Sequence, residues 1–376
     1  MSRKNLLSHM LLCLMFALLP RFAEAQVKPD FKTWGLSAMA QIEKDYSLPA
    51  RSLYADALHP GRERPKDGPA FMWACGVQLT ALTAAARLDS PKYLPLVRRY
   101  VSGLDIYWSK ADPVPGYDVL PGPKSPDRYY DDNEWLVLGL VEAYELTGDT
   151  ADLDRAEKTF KFVMSGEDNQ LGGGLFWHEQ EKKSKNTCSN GPAIVAALRL
   201  YAVTHKADYL DTAKRLYVWT NERLQDTDGL YWDNVKLDGQ VEKTKFTYNT
   251  ALMLRADALF YEITQEKKYL DEAERIAKAS EAHWFQKDTG AIADSGMFAH
   301  HLCEAFFALA KEDHDPHWRE IVTRALVFVQ EKGRDAEGLY NDHWDHAEPE
   351  KRDKIGLLGQ ASVARAFLFA ASQPSP

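Results

Sequence analysis

Two adjacent carboxylates, Asp131 and Asp132, stand between aromatic residues. A proline- and glycine-rich approach at residues 113–126 precedes them and an apolar stretch at 135–146 follows, so both aspartates should lie on the first turn of a helix. Consecutive residues along a helix do not face each other, but at a helix entrance both side chains can point into one cavity. Two carboxyl groups in an aromatic-walled cavity are suited to acid/base or nucleophilic chemistry on a sugar. The structural alternative is that Asp131 caps the helix and Asp132 interacts with the helix dipole.

Aromatic and amide side chains elsewhere in the chain are candidate sugar ligands. Trp177 and Trp232 each follow a Gly-Leu-aromatic turn, and either could stack on a pyranose face or pack between neighbouring hairpins. Amides that open later helices could hold sugar hydroxyls, with helix capping as the alternative. The predicted substrate-binding residues are Asn133, Trp135, Trp177, Asn186, Asn190, Trp232, Tyr248 and Asn249.

Other polar clusters do not match a cofactor or metal pattern. The donors at residues 341–346 are too closely packed in sequence for a common ligand spacing, so a polar loop is the favoured interpretation. The Asp-rich residues 226–229 lack the distal Glu of a calcium loop and indicate a turn. His300 and His301 are interpreted as packing residues, and we expect no cofactor and no metal.

A repeated helix–turn–helix unit must position these side chains. Three related turns, at residues 147–149, 204–206 and 264–266, recur at spacings of 57 and 60 residues, and each leads into a charged, amphipathic stretch. Periodicity predicts twelve helices. They lie near residues 30–46, 70–88, 91–109, 131–147, 149–165, 189–204, 206–223, 246–264, 266–283, 295–311, 314–332 and 354–371.

The helices alternate in character, which predicts an all-α fold. Every second helix is apolar on all sides and should be buried, whereas its neighbours are amphipathic and should cover it. Six inner helices ringed by six outer ones form an (α/α)6 barrel. Long segments with short hairpins precede the inner helices, so they should gather on one rim, which also carries Asp131 and Asp132.

The N-terminal residues resemble a secretory signal peptide. Arg3 and Lys4 precede a short apolar run at residues 6–19, and Ala23-Glu24-Ala25 fits a cleavage site. We therefore predict a signal peptide at residues 1–25, a single domain at 26–376, and a secreted or periplasmic location.

Charge and cysteine content limit the partners. The whole chain has a net charge of −9, and the predicted mature chain is more negative by two charges because the signal carries three basic residues and one acid. Nucleic acid and anionic membrane are therefore not expected as partners, and a monomer without membrane insertion is expected. Cys75, Cys188 and Cys303 are odd in number and lie far apart, so buried free thiols are predicted.

Four motifs in order resemble glycoside hydrolase family 76, the endo-α-1,6-mannanases. They are Tyr130-Asp131-Asp132-Asn133-Glu134-Trp135, Gly172-Gly173-Gly174-Leu175-Phe176-Trp177, Lys185-Asn186-Thr187-Cys188-Ser189-Asn190-Gly191-Pro192 and Tyr248-Asn249. The resemblance covers roughly residues 30 to 370. It implies an (α/α)6 barrel that hydrolyses α-1,6-mannosidic bonds with retention, with Asp131 as nucleophile and Asp132 as acid/base. The family often continues Tyr-Asn with Gln-Gly, whereas Thr250 and Ala251 stand here.

The resulting hypothesis is a secreted α-mannan hydrolase that acts on the polysaccharide or its oligosaccharides. One alternative is another carbohydrate enzyme of the same fold, either an unsaturated uronyl hydrolase, which would favour a basic rim, or a sugar epimerase, which would need paired histidines at the cavity floor. The other alternative is a non-catalytic glycan-binding protein of the same fold, which would not need the intact carboxylate pair. Fold alone does not decide among them.

Overall fold

The computed structural model describes residues 29–61, 66–110, 113–122 and 127–373, so the predicted signal peptide lies outside the described residues. Twelve α-helices dominate this part of the chain. They are α1 Phe31–Tyr46, α2 Met72–Leu88, α3 Ser90–Gly103, α4 Tyr130–Thr147, α5 Thr150–Met164, α6 Thr187–Thr204, α7 Ala207–Leu224, α8 Thr247–Thr264, α9 Lys267–Trp284, α10 Gly296–Glu312, α11 Pro316–Lys332 and α12 Leu357–Ser372. The largest departure from prediction is α3, which ends at Gly103 and continues as a 3₁₀ turn, Leu104–Tyr107.

The even-numbered helices form a closed inner ring. α2, α4, α6, α8, α10 and α12 each pack on the next, and α12 returns to α2. Each of the other helices packs outside the inner helix that precedes it in sequence, and α1 closes the arrangement by packing on α12. The predicted (α/α)6 barrel is confirmed.

Burial follows the difference in helix composition. Inner helices bury side chains on all sides, as α6 does from Thr187 to Leu198. Outer helices bury one stripe, which in α9 consists of residues spaced three and four apart, such as Tyr269, Ala273, Ile276 and Ala277. Such a stripe is stable only against another apolar surface, and this explains why the two kinds of helix pair. Cys75, Cys188 and Cys303 are buried free thiols, as predicted.

The repeated turn has a local explanation. At the end of α6, Thr204 Oγ1 donates to Leu200 O (2.7 Å) and accepts from Lys206 N (3.3 Å). The residue between, His205, takes a left-handed conformation (φ 57°) that reverses the chain. Thr264 and Thr147 make the same pair of bonds at the ends of α8 and α4. The repeat therefore marks a side-chain cap that ends the inner helix and starts the outer one.

Short strands occupy the rim where the inner helices begin. They are β1 Ser47–Leu48, β2 Leu53–Tyr54, β3 Ala57–Leu58, β4 Trp108–Ser109, β5 Gly116–Tyr117, β6 Ser184–Asn186, β7 Asn234–Lys236, β8 Val241–Glu242 and β9 Ile355–Gly356. All pairings are antiparallel, and β6, β7 and β8 form a three-stranded sheet. The strand β3 pairs with β9, which ties the start of the described chain to its end. Among the described residues, no helix combines the length and apolar content needed to cross a bilayer.

Candidate active site

The second residue of each inner helix lies at the mouth of the barrel. In α2, α4, α6 and α8 these residues are Trp73, Asp131, Cys188 and Tyr248. Trp73 and Tyr248 stack with centroids 6.0 Å apart, so residues from opposite parts of the ring meet. The Cys188 thiol lies close enough to Asp131 and Tyr248 for the three groups to affect one another's pKa. The ring therefore places the second residues of these four helices around a common cavity.

Asp131 is held by several donors. Trp177 Nε1 donates to its Oδ2 (2.9 Å), and the Asp132 amide donates to its Oδ1 (2.9 Å). Burial raises the pKa of the Asp131 carboxyl to about 6. The Asp132 amide, the nearby Cys188 thiol and the Trp177 indole oppose that rise. Asp131 is therefore ionised at neutral pH and fixed in orientation.

Asp132 has a different environment. It is 7% exposed, and no described residue donates a hydrogen bond to its carboxyl group. Burial, and next the charge of Asp131, raise its pKa well above the usual value. One carboxylate and one carboxylic acid thus stand side by side, which is the division of roles that acid-assisted nucleophilic displacement requires.

A hairpin between α5 and α6 fixes the entrance of α4. The Tyr130 amide donates to Trp177 O (3.1 Å), and the Glu179 amide donates to Arg128 O (2.9 Å). The side chains of Arg128 and Glu179 form a buried two-point ion pair at 2.7 and 2.6 Å. The ring of Trp177 remains 36% exposed, so it presents an apolar face beside Asp131 while its N–H is used.

Two predicted sugar ligands have a structural role. Asn190 is fully buried; its Oδ1 accepts from Leu175 N (2.9 Å) and its Nδ2 donates to Leu175 O (3.2 Å). Asn133 binds Tyr117 N and O in the same way (2.8 and 3.0 Å). Their amides are satisfied by backbone, which favours a structural role, and contact of these two residues with substrate stays a prediction.

This contact recurs and defines a set that we call the latch residues. Each is the fourth residue of an inner helix and bonds to the backbone of the hairpin or loop before it. Thr250 Oγ1 accepts from Tyr231 N (3.1 Å), and Gln360 bonds Tyr340 N and O (2.9 and 2.8 Å). The latch residues are Asn133, Asn190, Thr250 and Gln360. Thr250, the departure from the family pattern, is therefore a latch with a shorter side chain.

The other predicted ligands lie in three different settings. Trp135 is buried beneath the mouth, stacked on Trp73 and on His301 (centroids 6.2 and 4.7 Å apart). Asn186 is buried, and its Oδ1 accepts from Ser184 Oγ (2.6 Å). Trp232 is only partly exposed, its N–H donates to Asp226 (3.1 Å), and Lys243 Nζ lies 4.9 Å from its ring centroid. None of these contacts is with Asp131 or Asp132.

Tyr248 lies near Cys188 and Asp131, and Asn249 follows it on α8. The Tyr248 ring stacks on Phe298 with centroids 4.5 Å apart. Asn249 is fully buried; its Nδ2 donates to Asp233 Oδ1 (3.3 Å), and its own Oδ1 has no partner among the described residues. Asp233 is partly exposed, and burial raises its pKa.

The sequence analysis did not predict three residues at the mouth. They are Trp73, Cys188 in its place beside Asp131, and Asp233. Only a repeat signal could have found them, since Trp73 and Cys188 share a helix position with Asp131 and Asp233 follows a Gly-Leu-aromatic turn.

The paired histidines do not resemble two opposed bases. His300 and His301 are adjacent on α10 with ring centroids 3.8 Å apart, and His300 Nδ1 contacts Gly296 O (3.1 Å). Burial lowers the pKa of His300 to about 4, and burial also lowers the pKa of His301 well below its usual value. Both are neutral packing residues, whereas proton transfer on two faces of a sugar carbon needs groups on opposite sides.

Comparison with known proteins identifies relatives of the whole barrel. The family model described as Glycosyl hydrolase family 76 matches residues 50–332. A solved GH76 α-mannanase of Bacteroides thetaiotaomicron is 30% identical with a TM-score of 0.85, over 91% of this chain and 96% of that one. Among curated proteins, the meiotically up-regulated gene 191 protein of Schizosaccharomyces pombe is 28% identical over 56% of this chain and 51% of its own length. A mannan endo-1,6-α-mannosidase of Candida glabrata is 27% identical over 51% of this chain and 41% of its own length, so the chain spans about half of these curated relatives.

Proposed function

Because the chain belongs to glycosyl hydrolase family 76, we propose that it hydrolyses α-1,6-mannosidic bonds of α-mannan with retention of configuration. The observation that carries the proposal is the unequal pair, in which Asp131 accepts two hydrogen bonds and Asp132 none from the described residues. The name of the Candida glabrata relative supports the linkage.

The proposed reaction has two displacements. The Asp131 carboxylate attacks the anomeric carbon while the Asp132 carboxyl gives its proton to the leaving glycosidic oxygen. The resulting ester removes the charge of Asp131, which lowers the pKa of Asp132. Asp132 then takes a proton from water, the hydroxide oxygen bonds to the anomeric carbon, and the Asp131 carboxylate is released.

Secretion is part of the proposal and depends on residues 1–25. A polysaccharide outside the cell requires an exported enzyme, and Ala23-Glu24-Ala25 fits export with cleavage after Ala25. Amino-terminal sequencing of protein recovered from the periplasm or medium should begin at Gln26.

The test is the first product formed from linear α-1,6-mannan. Early-time NMR should show the α-anomer of the product first. The enzyme should leave α-1,2- and α-1,3-linked mannans intact. Asp131→Ala should abolish activity on every substrate. Asp132→Ala should keep activity on aryl α-mannosides with good leaving groups, because these need little acid assistance.

Asp288→Ala is the matched control, because Asp288 is an exposed aspartate on another rim hairpin and should leave the rate unchanged. If the β-anomer forms first, the enzyme inverts. If Asp131→Ala keeps activity on aryl α-mannosides and Asp132→Ala loses it, the assigned roles are reversed. Absence of any mannan cleavage would reject the substrate.

A further inference from the structure

A loop between α11 and α12 is held firmly against the start of α10. We call residues 341–350 the His343 loop. The Gly296 amide donates to Asp342 O (2.7 Å), and the Trp344 amide donates to Asp294 O (3.1 Å). Trp344 is 2% exposed and packs on Gly296, where a Cβ atom would lie 2.2 Å from the indole nitrogen. The loop conformation is therefore fixed by backbone bonds and by a buried anchor.

This fold brings three donor side chains of the His343 loop together. His343, Asp345 and His346 each offer a ligand atom, and these atoms lie within 4.8 Å of one another. The two histidines are exposed and Asp345 is partly exposed, so an ion could enter from solvent. The imidazole rings lie 4.9 Å apart at 23°, which places both on one side of the loop.

The donors are themselves oriented by other groups. His346 Nδ1 is 2.6 Å from Glu350 Oε1, which leaves Nε2 for a ligand. Glu350 is fixed in turn by the amides of Asp342 and His343 (3.0 and 3.3 Å). Gln286 Nε2 donates to Asp345 Oδ2 (3.4 Å). A carboxylate behind a histidine and a donor behind a carboxylate are the outer contacts that orient ligands in metal sites.

We propose that His343, Asp345 and His346 bind one divalent transition-metal ion of the zinc type. Two imidazoles and one carboxylate suit zinc, copper or nickel, whereas calcium and magnesium prefer oxygen ligands alone. Three protein ligands leave a coordination position open to solvent. The sequence favoured a polar loop because the donors are nearly consecutive, but the loop conformation turns all three toward one point.

The ion would stabilise the rim without taking part in the proposed hydrolysis. α10, which anchors the loop, stands across the inner ring from α4, which carries Asp131 and Asp132. An ion at the His343 loop would tie residues 341–350 together ahead of α12, and so raise the melting temperature of the whole barrel.

Zinc binding by the untagged, EDTA-treated chain tests the proposal without any substrate. Calorimetry should give one equivalent of bound Zn²⁺ and a rise in melting temperature, with no equivalent effect of Ca²⁺ or Mg²⁺. His346→Ala and His343→Ala should lose the site. Glu350→Gln should keep it with affinity weaker by about 10- to 100-fold, as outer-contact changes do.

His283→Ala is the matched control, because His283 is exposed on α9 outside the cluster. It should bind zinc as the wild type does. Equal zinc binding by the wild type and His346→Ala, or loss of binding in His283→Ala, would overturn the proposal. Circular dichroism of each variant separates loss of the ion from loss of fold.

Discussion

Asp131 and Asp132 are neighbours in the chain but differ in what surrounds them. Asp131 receives hydrogen bonds from a backbone amide and an indole and has a thiol nearby, whereas Asp132 is buried next to a negative charge. Glu134 follows on the same helix, fully buried, with neither carboxyl oxygen bonded to any described residue. Burial, and then the charges of Asp131 and Asp132, raise its pKa well above the usual range, so the cluster holds one negative charge rather than three.

The first residue-scale prediction separates the indole hydrogen bond from sugar stacking. Trp177→Phe keeps an aromatic face but removes the N–H that bonds Asp131 at 2.9 Å. A hydrogen bond to a charged group contributes about 1.5–3 kcal/mol, so kcat/KM should fall about 10-fold or more. The acid limb of the pH profile should move to higher pH, because the ionised form of Asp131 loses a donor.

Trp232→Phe is the control, since its lost N–H serves Asp226 and not the pair. If Trp177→Phe changes only KM and leaves the pH profile in place, the indole contributes stacking and not charge stabilisation.

The second prediction is the wild-type pH dependence. The rate should fall as pH drops through about 6, where Asp131 becomes protonated and ceases to be a nucleophile. It should fall again at higher pH as Asp132 loses the proton that it donates. A bell-shaped profile of kcat/KM against pH measures both groups in the free enzyme. A rate that remains constant down to pH 4 would contradict the nucleophile assignment.

The third prediction concerns stability at the pair. The pKa of Asp132 in the fold is above its ordinary value of 3.8, so keeping this carboxyl in the fold costs free energy once pH exceeds that value. Asp132→Asn removes the cost, about 1.4 kcal/mol for each unit of pKa shift. The variant should melt at a higher temperature than the wild type at pH 7 and at the same temperature near pH 3. A lower melting temperature at pH 7 would show that the Asp132 proton makes an essential bond.

At the scale of elements, the latch residues connect each inner helix to the hairpin or loop before it. This connection explains how the hairpins that carry Trp177, Tyr231 and Tyr340 are fixed to the inner ring. The hairpin of Trp177 also lies against the outer helix α7: Gly174 has φ +77°, and a Cβ there would lie 2.6 Å from the Trp219 ring. The rim is therefore a set of similar units, of which one has acquired the carboxylate pair.

The element-scale prediction tests a latch. Asn190→Ala would leave the amide and carbonyl of Leu175 buried without partners, at about 1–3 kcal/mol for each group. Urea denaturation should show a loss of at least about 2 kcal/mol. Asn169→Ala, at an exposed asparagine on the same hairpin, should change stability by less than about 0.5 kcal/mol. Unchanged stability with a raised KM would confirm Asn190 as a substrate ligand.

At the scale of the whole molecule, a buried charge network joins four inner helices. Arg365 of α12 bonds Glu142 of α4 (2.7 and 2.8 Å) and Glu304 of α10 (2.7 and 3.2 Å). Arg255 of α8 also bonds Glu304 (3.0 Å). Burial is the largest single influence on both carboxyls and opposes their ionisation. The charge of Arg365 and its hydrogen bonds, joined by the charge of Arg255 at Glu304, together outweigh burial and lower the pKa of Glu142 and of Glu304. The ring is thus closed across its centre by complementary charges.

The whole-molecule prediction is made at Arg365. Arg365→Leu would leave the buried Glu142 without a cationic partner and Glu304 with Arg255 alone, and stability should fall by about 3–5 kcal/mol. The double variant that adds Glu142→Leu should recover part of this loss, because Glu304 keeps its bond to Arg255. In the wild type, the stabilisation is present above the ordinary carboxyl pKa of 4.5 and is lost as pH falls through the lowered values. Equal stability of Arg365→Leu and wild type at pH 7 would show that water or rearrangement satisfies the carboxyls.

The sequence alone determined the alternation of helices, most of their boundaries, the barrel and the family. Hydrophobic periodicity and turn residues encode these features locally, because whether a helix is buried on all sides or on one is written in its own composition. The adjacent aspartates at a helix entrance were likewise visible, and the residues around them carried the family resemblance.

Only the tertiary structure decided what the amides and aromatic residues do. Asn133 and Asn190 have the same chemistry whether they bond a sugar or a backbone, and their position as the fourth residue of an inner helix, facing a hairpin or loop, commits them to backbone. Trp177 lies 46 positions from Asp131 in the chain, so its hydrogen bond to that carboxylate depends on how two rim segments meet. Cys188 reaches Asp131 because α6 packs beside α4. Side-chain type is a local property, whereas the partner of a side chain is set by packing between elements distant in sequence.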